Sequence, residues 1–396
     1  MDDLTQEQQE ILDKFRVCVS DICQPNHDDH FLLRWLRARD FSVEKAEFML
    51  RESMNVRREM KLDTLVETYK VPEVLSKYYP GGHFGFDREG TPVFIDPIGQ
   101  IDFRGLLASV KKNEIIRFKA YLAEYTLFLS RQQSSKLGKC IDQVVMVMDM
   151  EGLGLKHLWR PGVTLFNKIT AFYEDNYPEM MKNILVINAP RIFPIAYALV
   201  KPFLNEVTRN KVKILGVDWK TELLEYIDED NLPEYYGGTC KDPDGDPLCR
   251  SKICYGGDVP ESYYCKDCDK PDTWTDEQMY EVGYVKRGTA LKLSFEVDAP
   301  GSILSWQYKS VDHDIGFGVF YSEKGSKHSK DLEEKIPTER RNCHLVQEEG
   351  SLLCEKPGIY ILRFDNSYSW TRNKKIFYNV TIVYPLKDSN GHVDVS

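Results

Sequence analysis

The sequence predicts an α/β domain with a helical cap before it and an all-β sandwich after it. Three observations carry this. Up to about residue 240, apolar residues at helical spacing alternate with short continuous apolar runs. From 241 to 274 the chain is rich in Pro, Gly, Asp and Cys and shows no period. From about 280 the apolar period becomes two. Helices interleaved with buried strands imply right-handed crossovers and a mostly parallel, mixed sheet. Alternation over about 100 residues implies a sandwich.

Residues 1–75 read as helical. Asp29 precedes HFLLRWLRARDF, and Ser42 is a fitting N-cap for SVEKAEFMLRESMNVRREM, where Val43, Ala46, Met49 and Leu50 recur at helical spacing. Pro92–Asp96 reads as a strand after the turn Asp87-Arg88-Glu89-Gly90. Residues 111–133 form a long helix whose Ile115, Phe118, Leu122, Tyr125 and Leu129 make one stripe. Val144–Asp149, Ile184–Asn188 and Val212–Val217 are further strands, with helices at 162–176, 192–203 and 223–227. The stretch 241–274 is a linker or an irregular wrap. Beyond it, Leu291, Leu293, Phe295 and Val297, and later Ile376, Tyr378, Val380, Ile382 and Tyr384, alternate with polar residues. The domains expected are therefore 1–75, 76–240, 241–274 as an acidic Cys-bearing linker, 275–386 as the sandwich, and a flexible tail at 387–396.

Charge narrows the function. The 396 residues carry a formal charge of −10, which argues against a nucleic-acid binder. The sum is uneven: Lys182–Lys213 holds six basic residues and the single acid Glu206, whereas 214–277 holds 17 acids and 6 bases. A basic, apolar-rich segment of this kind suits an anionic membrane surface. No 18-residue apolar run and no secretory leader stand out, so the ten cysteines read as cytoplasmic thiols and the Asn379-Val380-Thr381 sequon as unglycosylated.

Catalytic motifs are approached and missed. Tyr197-x-x-x-Lys201 has a dehydrogenase dyad's spacing without a glycine-rich dinucleotide turn. Gly81-Gly82-His83-Phe84-Gly85 lacks the Lys-Ser/Thr of a phosphate loop. Asp149 and Glu151 read as a polar strand exit rather than an acid–base pair. Asp242, Asp244 and Asp246 resemble a calcium loop, but its twelfth position is Ile253. Cys240, Cys249, Cys254, Cys265 and Cys268 contain one Cys-x-x-Cys, short of the two pairs usual for zinc. No enzyme, metal or cofactor is expected; a binding protein is.

The stretches DDHFLLRWLRARDFSVEKAEFML, VMDMEGLGLKHLW, EDNYPEMMKNILVINAPRIFPIAYALVKPFL and LPEYYGGT resemble the CRAL-TRIO lipid-binding proteins. FGVF and PGIYILRFDNSYSW resemble a GOLD (Golgi dynamics) sandwich. The combination is similar to the supernatant protein factor and tocopherol-associated protein group and to invertebrate cytosolic retinal-binding proteins. The resemblance implies a lipid cavity floored by the sheet and closed by a gate helix at about Ala189–Phe203. Ile192, Phe193, Ile195, Ala196, Leu199 and Phe203 would be its apolar face, with Lys201, Arg209 and Lys211 at the membrane. Val144, Met146, Met148, Ile169, Phe172, Tyr173, Met181 and Ile184 would line the chamber, joined by Phe118, Leu122 and Tyr125. Tyr235 stands where phosphatidylinositol-transferring relatives carry Lys, which disfavours a phosphate headgroup. A retinoid-, tocopherol- or squalene-like ligand fits better, with non-covalent binding expected because no Lys falls within the chamber stripes. The resemblance thus implies a cytoplasmic carrier in transient contact with membranes. Its alternatives are a lipid-sensing adaptor with a protein partner on the sandwich, or phospholipid transfer.

Overall fold

The computed structural model describes residues 4–24, 27–265, 280–324, 332–344 and 347–384. Cys268 and the tail at 387–396 lie outside these. The chain divides into two compact units. One comprises Met1–Leu153, Arg160–Pro190 and Leu199–Thr273; the other comprises Gly154–Trp159, Arg191–Ala198 and Trp274–Ser396.

The first unit opens with α1 (Gln6–Cys18), α2 (Asp29–Arg37) and α3 (Val43–Met60). Local chemistry sets their ends. Thr5 and Gln8 form a reciprocal capping box on α1, and the Asp28 carboxylate accepts from Phe31 N at 2.9 Å to start α2. Ser42 holds the N-cap position of α3 but makes no side-chain bond there. Leu12, Phe15, Leu32, Leu36, Ala46 and Leu50 pack the three helices together. Short helices α4 (Leu65–Thr68) and α5 (Glu73–Tyr78) lead into the sheet.

That sheet has five strands: β1 (Gly82–Phe86), β2 (Pro92–Asp96), β3 (Val144–Asp149), β4 (Met181–Ile187) and β5 (Val212–Ile214). Only β1 runs antiparallel to its neighbour; β2 to β5 are parallel, as the crossovers require. The crossovers are α6 (Phe103–Ser109) with α7 (Lys112–Leu137), then α8 (Arg160–Asn176). α7 stops at Gly138, whose φ of +67° favours glycine. The segment between β4 and β5 holds α9 (Phe193–Val200), a 3₁₀ turn at Lys201–Phe203 and α10 (Glu206–Asn210). α9 ends before Lys201, so the expected Tyr197–Lys201 spacing does not fall within one α-helix. α11 (Trp219–Tyr226) follows β5.

Of the two readings of the Cys-bearing stretch, residues 241–265 form the wrap. Ile253 is fully buried in the core with Val93, Val145 and Leu185. Gly81 N donates to Cys254 O at 2.8 Å, and a Cβ on Gly82 would meet Lys252 O at 2.1 Å, so this approach requires glycine. Asp102 sews the wrap to α6 by accepting from Gly105 N and from Val259 N.

The second unit contains two four-stranded antiparallel sheets among the described residues. Its strands are β6 (Glu281–Val285), β7 (Ala290–Val297), β8 (Ser302–Ser310), β9 (Ile315–Ser322), β10 (Glu333–Arg341), β11 (Glu348–Cys354), β12 (Gly358–Asp365) and β13 (Lys374–Val383). The sheet orders are β10-β9-β12-β7 and β11-β8-β13-β6. Inward positions alternate along β8 and β12, and Trp306, Tyr308, Phe317, Tyr360, Leu362 and Phe364 fill the core. Tyr308 and Phe317 stack at 4.5 Å between ring centroids.

Candidate functional site

The two faces of the parallel sheet are built differently. Val145 and Val147 of β3 point to one side with Val93, Ile95, Leu185 and Ile187, all completely buried. α11 and the wrap close that side through Leu223, Ile227, Leu232, Tyr236 and Ile253. Alternate residues point the other way. There Phe94 and Val144 are buried, but Met146, Met148 and Met181 remain half-buried. Ala120, Ala123, Leu122 and Tyr121 of α7 and Phe172 and Tyr173 of α8 pack in the same cluster.

Several groups on this second side are surrounded by protein and still accessible. Burial dominates the ionisation of both His83 and Tyr173, yet each retains accessible surface. This side of the sheet is therefore less completely filled than the other. Phe118 meets the Tyr79 ring edge-on at 5.5 Å, and Tyr125 meets His83 edge-on at 5.2 Å. Ile184 sits beside Met146 in register, and Ile169 of α8 is buried. The structure thus brings Phe118, Leu122, Tyr125, Val144, Met146, Met148, Ile169, Phe172, Tyr173, Met181 and Ile184 to one side of the sheet or its covering helices.

A polar group outside the apolar stripe of α7 lies here. Lys119 is 6% exposed, and its Nζ stands over the rings of Tyr79, Phe94 and Tyr173 at 5.0, 5.7 and 5.9 Å. Lys119 lies beside the apolar stripe of α7 and not in it, yet its side chain is buried. Burial makes the Lys119 ammonium easier to deprotonate, while the Asp96 charge partly offsets that. Asp96, 4% exposed at the end of β2, is pushed up to about 6 by burial, with Lys119 pulling the other way. His83 falls to about 4, first by desolvation and then by the Lys119 charge, and its Nε2 lies 2.7 Å from Thr126 Oγ1. It is therefore a neutral imidazole.

A polar network holds the helical layer in place. Arg57 of α3 forms a forked pair with the buried Glu124 of α7 at 2.9 and 3.0 Å, and Tyr177 Oη donates to the same carboxylate at 2.8 Å. Tyr173 Oη donates to Lys119 O at 3.0 Å and ties α8 to α7.

The expected gate residues do not share one environment. Phe193 and Ile195 are buried; Ile192, Ala196 and Leu199 are half-buried. Phe203 is 48% exposed. It stands in a sequence stretch with exposed Val207, Ile214 and Val217, the last at 95%. Of the three expected membrane cations, Lys201 is exposed, Arg209 is half-buried, and Lys211 is engaged with Glu179 at 3.1 Å.

The remaining polar candidates are structural. Asp149 accepts from Glu151 N and Asn188 Nδ2 at 3.0 and 2.9 Å, and Tyr236 Oη donates to its other oxygen. The Tyr235 hydroxyl donates to Glu151 Oε2 at 2.5 Å. Asp242 and Asp246 accept from Ser251 and from Leu248 N and Arg250. Cys240, Cys254 and Cys265 each lie against a backbone carbonyl. Among the described residues no His, Cys, Asp and Glu side chains gather in a metal-binding group, and no helix is long and apolar enough to cross a membrane.

Comparison with known proteins adds the following. Residues 76–238 match the model of the CRAL/TRIO domain, 6–52 that of the CRAL/TRIO N-terminal domain, and 322–384 that described as Golgi-dynamics membrane-trafficking. Two curated relatives, each named Protein real-time, are 33% identical over 311 residues (Aedes aegypti) and 31% over 335 (Anopheles gambiae). Both alignments include 76% of this chain but only 47% and 49% of the relative, so the chain spans about half the length of the curated relatives it matches. The crystal structure of Sfh5 has the same fold over 66% of this chain and 96% of its own, with a TM-score of 0.52 at 19% identity.

Proposed function

Since this is a CRAL/TRIO-domain protein with the family's N-terminal helices and a Golgi-dynamics segment, we propose that it carries one hydrophobic molecule between membranes. The observation behind this reading is the asymmetry of the sheet. One face is packed dry, while the other leaves Met146, Met148, Phe172, Tyr173 and Met181 incompletely covered beneath α7 and α8. Thioethers and aromatic rings adapt to an irregular apolar guest. The ligand is retinoid- or tocopherol-like rather than a phosphoinositide: Tyr235 donates to the Glu151 carboxylate, whose negative charge opposes a phosphate there, and the nearby Lys220 ammonium lies over the Trp219 and Tyr235 rings.

Delivery uses the stretch from Ala189 to Phe203 as the moving part. Exposed Phe203, Val207, Ile214 and Val217, with Lys201, meet the membrane interface. Leu199→Asp with Phe203→Asp is expected to lower vesicle-to-vesicle transfer of a bound fluorescent lipid at least tenfold, with an unchanged circular dichroism spectrum. Wild-type transfer by the folded double variant refutes this delivery step. A second reading, an adaptor that recruits a protein through the sandwich, is favoured by the exposed Trp370 and by Val282 and Tyr284 on edge strand β6.

A further inference from the structure

We propose that Lys119 and Asp96 are a polar anchor for a ligand held on the less completely covered side of the sheet, and that the ligand they select is a hydrophobic alcohol or phenol. The inference rests on the carrier reading and names the class of molecule carried. Lys119 makes no hydrogen bond or ion pair among the described residues; three aromatic ring faces surround its ammonium instead. Asp96 Oδ1 is buried without a partner. Asp96 shares its face of β2 with Phe94, one of the rings around Lys119, and lies beside Met148 in register. Two unsatisfied groups of opposite kind therefore border one apolar space. Proteins rarely leave such groups unpaired, because each loses its water on burial.

The pair discriminates among ligands. A hydrocarbon leaves both groups unsatisfied. A carboxylate or phosphate pairs with Lys119 but places a second negative charge beside Asp96. An aldehyde or ketone accepts from Lys119 and has nothing to donate. A hydroxyl does both: its oxygen accepts from the ammonium and its proton is donated to the carboxylate. His83 does not compete for this role, since Thr126 engages its Nε2.

Fluorescence titration with retinol, its deoxygenated hydrocarbon analogue and retinoic acid tests this on the full chain. The wild type is expected to bind retinol at least tenfold more tightly than either other probe. Lys119→Met and the near-isosteric Asp96→Asn are each expected to weaken retinol about tenfold and to leave the hydrocarbon unchanged or tighter. Equal retinol affinity in a folded variant of either residue overturns the anchor, as does a wild-type preference for retinoic acid or for the hydrocarbon. If the wild type binds none of the three and does not bind tocopherol either, the carrier reading itself fails; tocopherol bound no more tightly than its deoxygenated analogue overturns the anchor.

Discussion

The two faces of the parallel sheet are made by the same strands and stabilised by different means. Val145 and Val147 sit among completely buried neighbours, whereas Met146 and Met148, one residue away, keep accessible surface. The dry face holds the fold by close packing, and the other relies on a polar network at its edge. The same strands thus carry a fully packed core on one side and a less completely covered surface on the other.

The largest expected effect tests the dry face. Leu185→Ala should cost about 3–4 kcal/mol by urea denaturation, since its neighbours have no room to relax. Next is the network that joins α3, α7 and Tyr177. Glu124→Ala leaves the Tyr177 hydroxyl without its partner and the Arg57 guanidinium with Asp63 alone, and should cost about 3 kcal/mol. An effect there below that of an ordinary surface ion pair would show that the helices are held by packing after all.

A smaller effect is pH-dependent and belongs to the less completely covered face. Asp96 rises to about 6, so the folded chain holds its proton more tightly than the unfolded one, and stability falls as pH rises from about 4 to 6. His83 falls to about 4, so the unfolded chain takes up a proton that the folded one refuses, and stability falls as pH drops from about 6.5 to 4. The two slopes oppose each other in the wild type. Asp96→Asn should steepen acid destabilisation by about 2 kcal/mol between pH 6 and 4.5, and His83→Gln should reverse its sign. Identical profiles for all three proteins would place both groups in water. The smallest effect closes the comparison: Met146→Ala should cost under about 1 kcal/mol, because its side chain already borders open space. A cost equal to that of Leu185→Ala would remove the distinction between the faces.

Much of this was legible in the sequence. Pro92–Asp96 and Val144–Asp149 have the bounds expected of them, because a continuous apolar run between turns admits few alternatives. The assignment of Val144, Met146 and Met148 to one face and Val145 and Val147 to the other follows from the strand period alone. The long helix was equally plain, although its apolar stripe marked only one of its contacts. Lys119 follows Phe118 and looks like a solvated helix position. It becomes internal because Tyr79, Phe94 and Tyr173 converge on it from segments distant in sequence. The basic stretch misled in the opposite direction. Lys211 counts toward its charge, but Glu179 engages it.

Period and composition therefore determined the elements, their order, the two-sided sheet and the change to a sandwich, because these depend on spacing within short windows. Tertiary structure alone decided that residues 241–265 wrap the α/β unit, that Phe203 is largely exposed, and that Lys119 and Asp96 are buried. Burial and the partner of a charge are set by residues remote in the chain, and no local pattern records them.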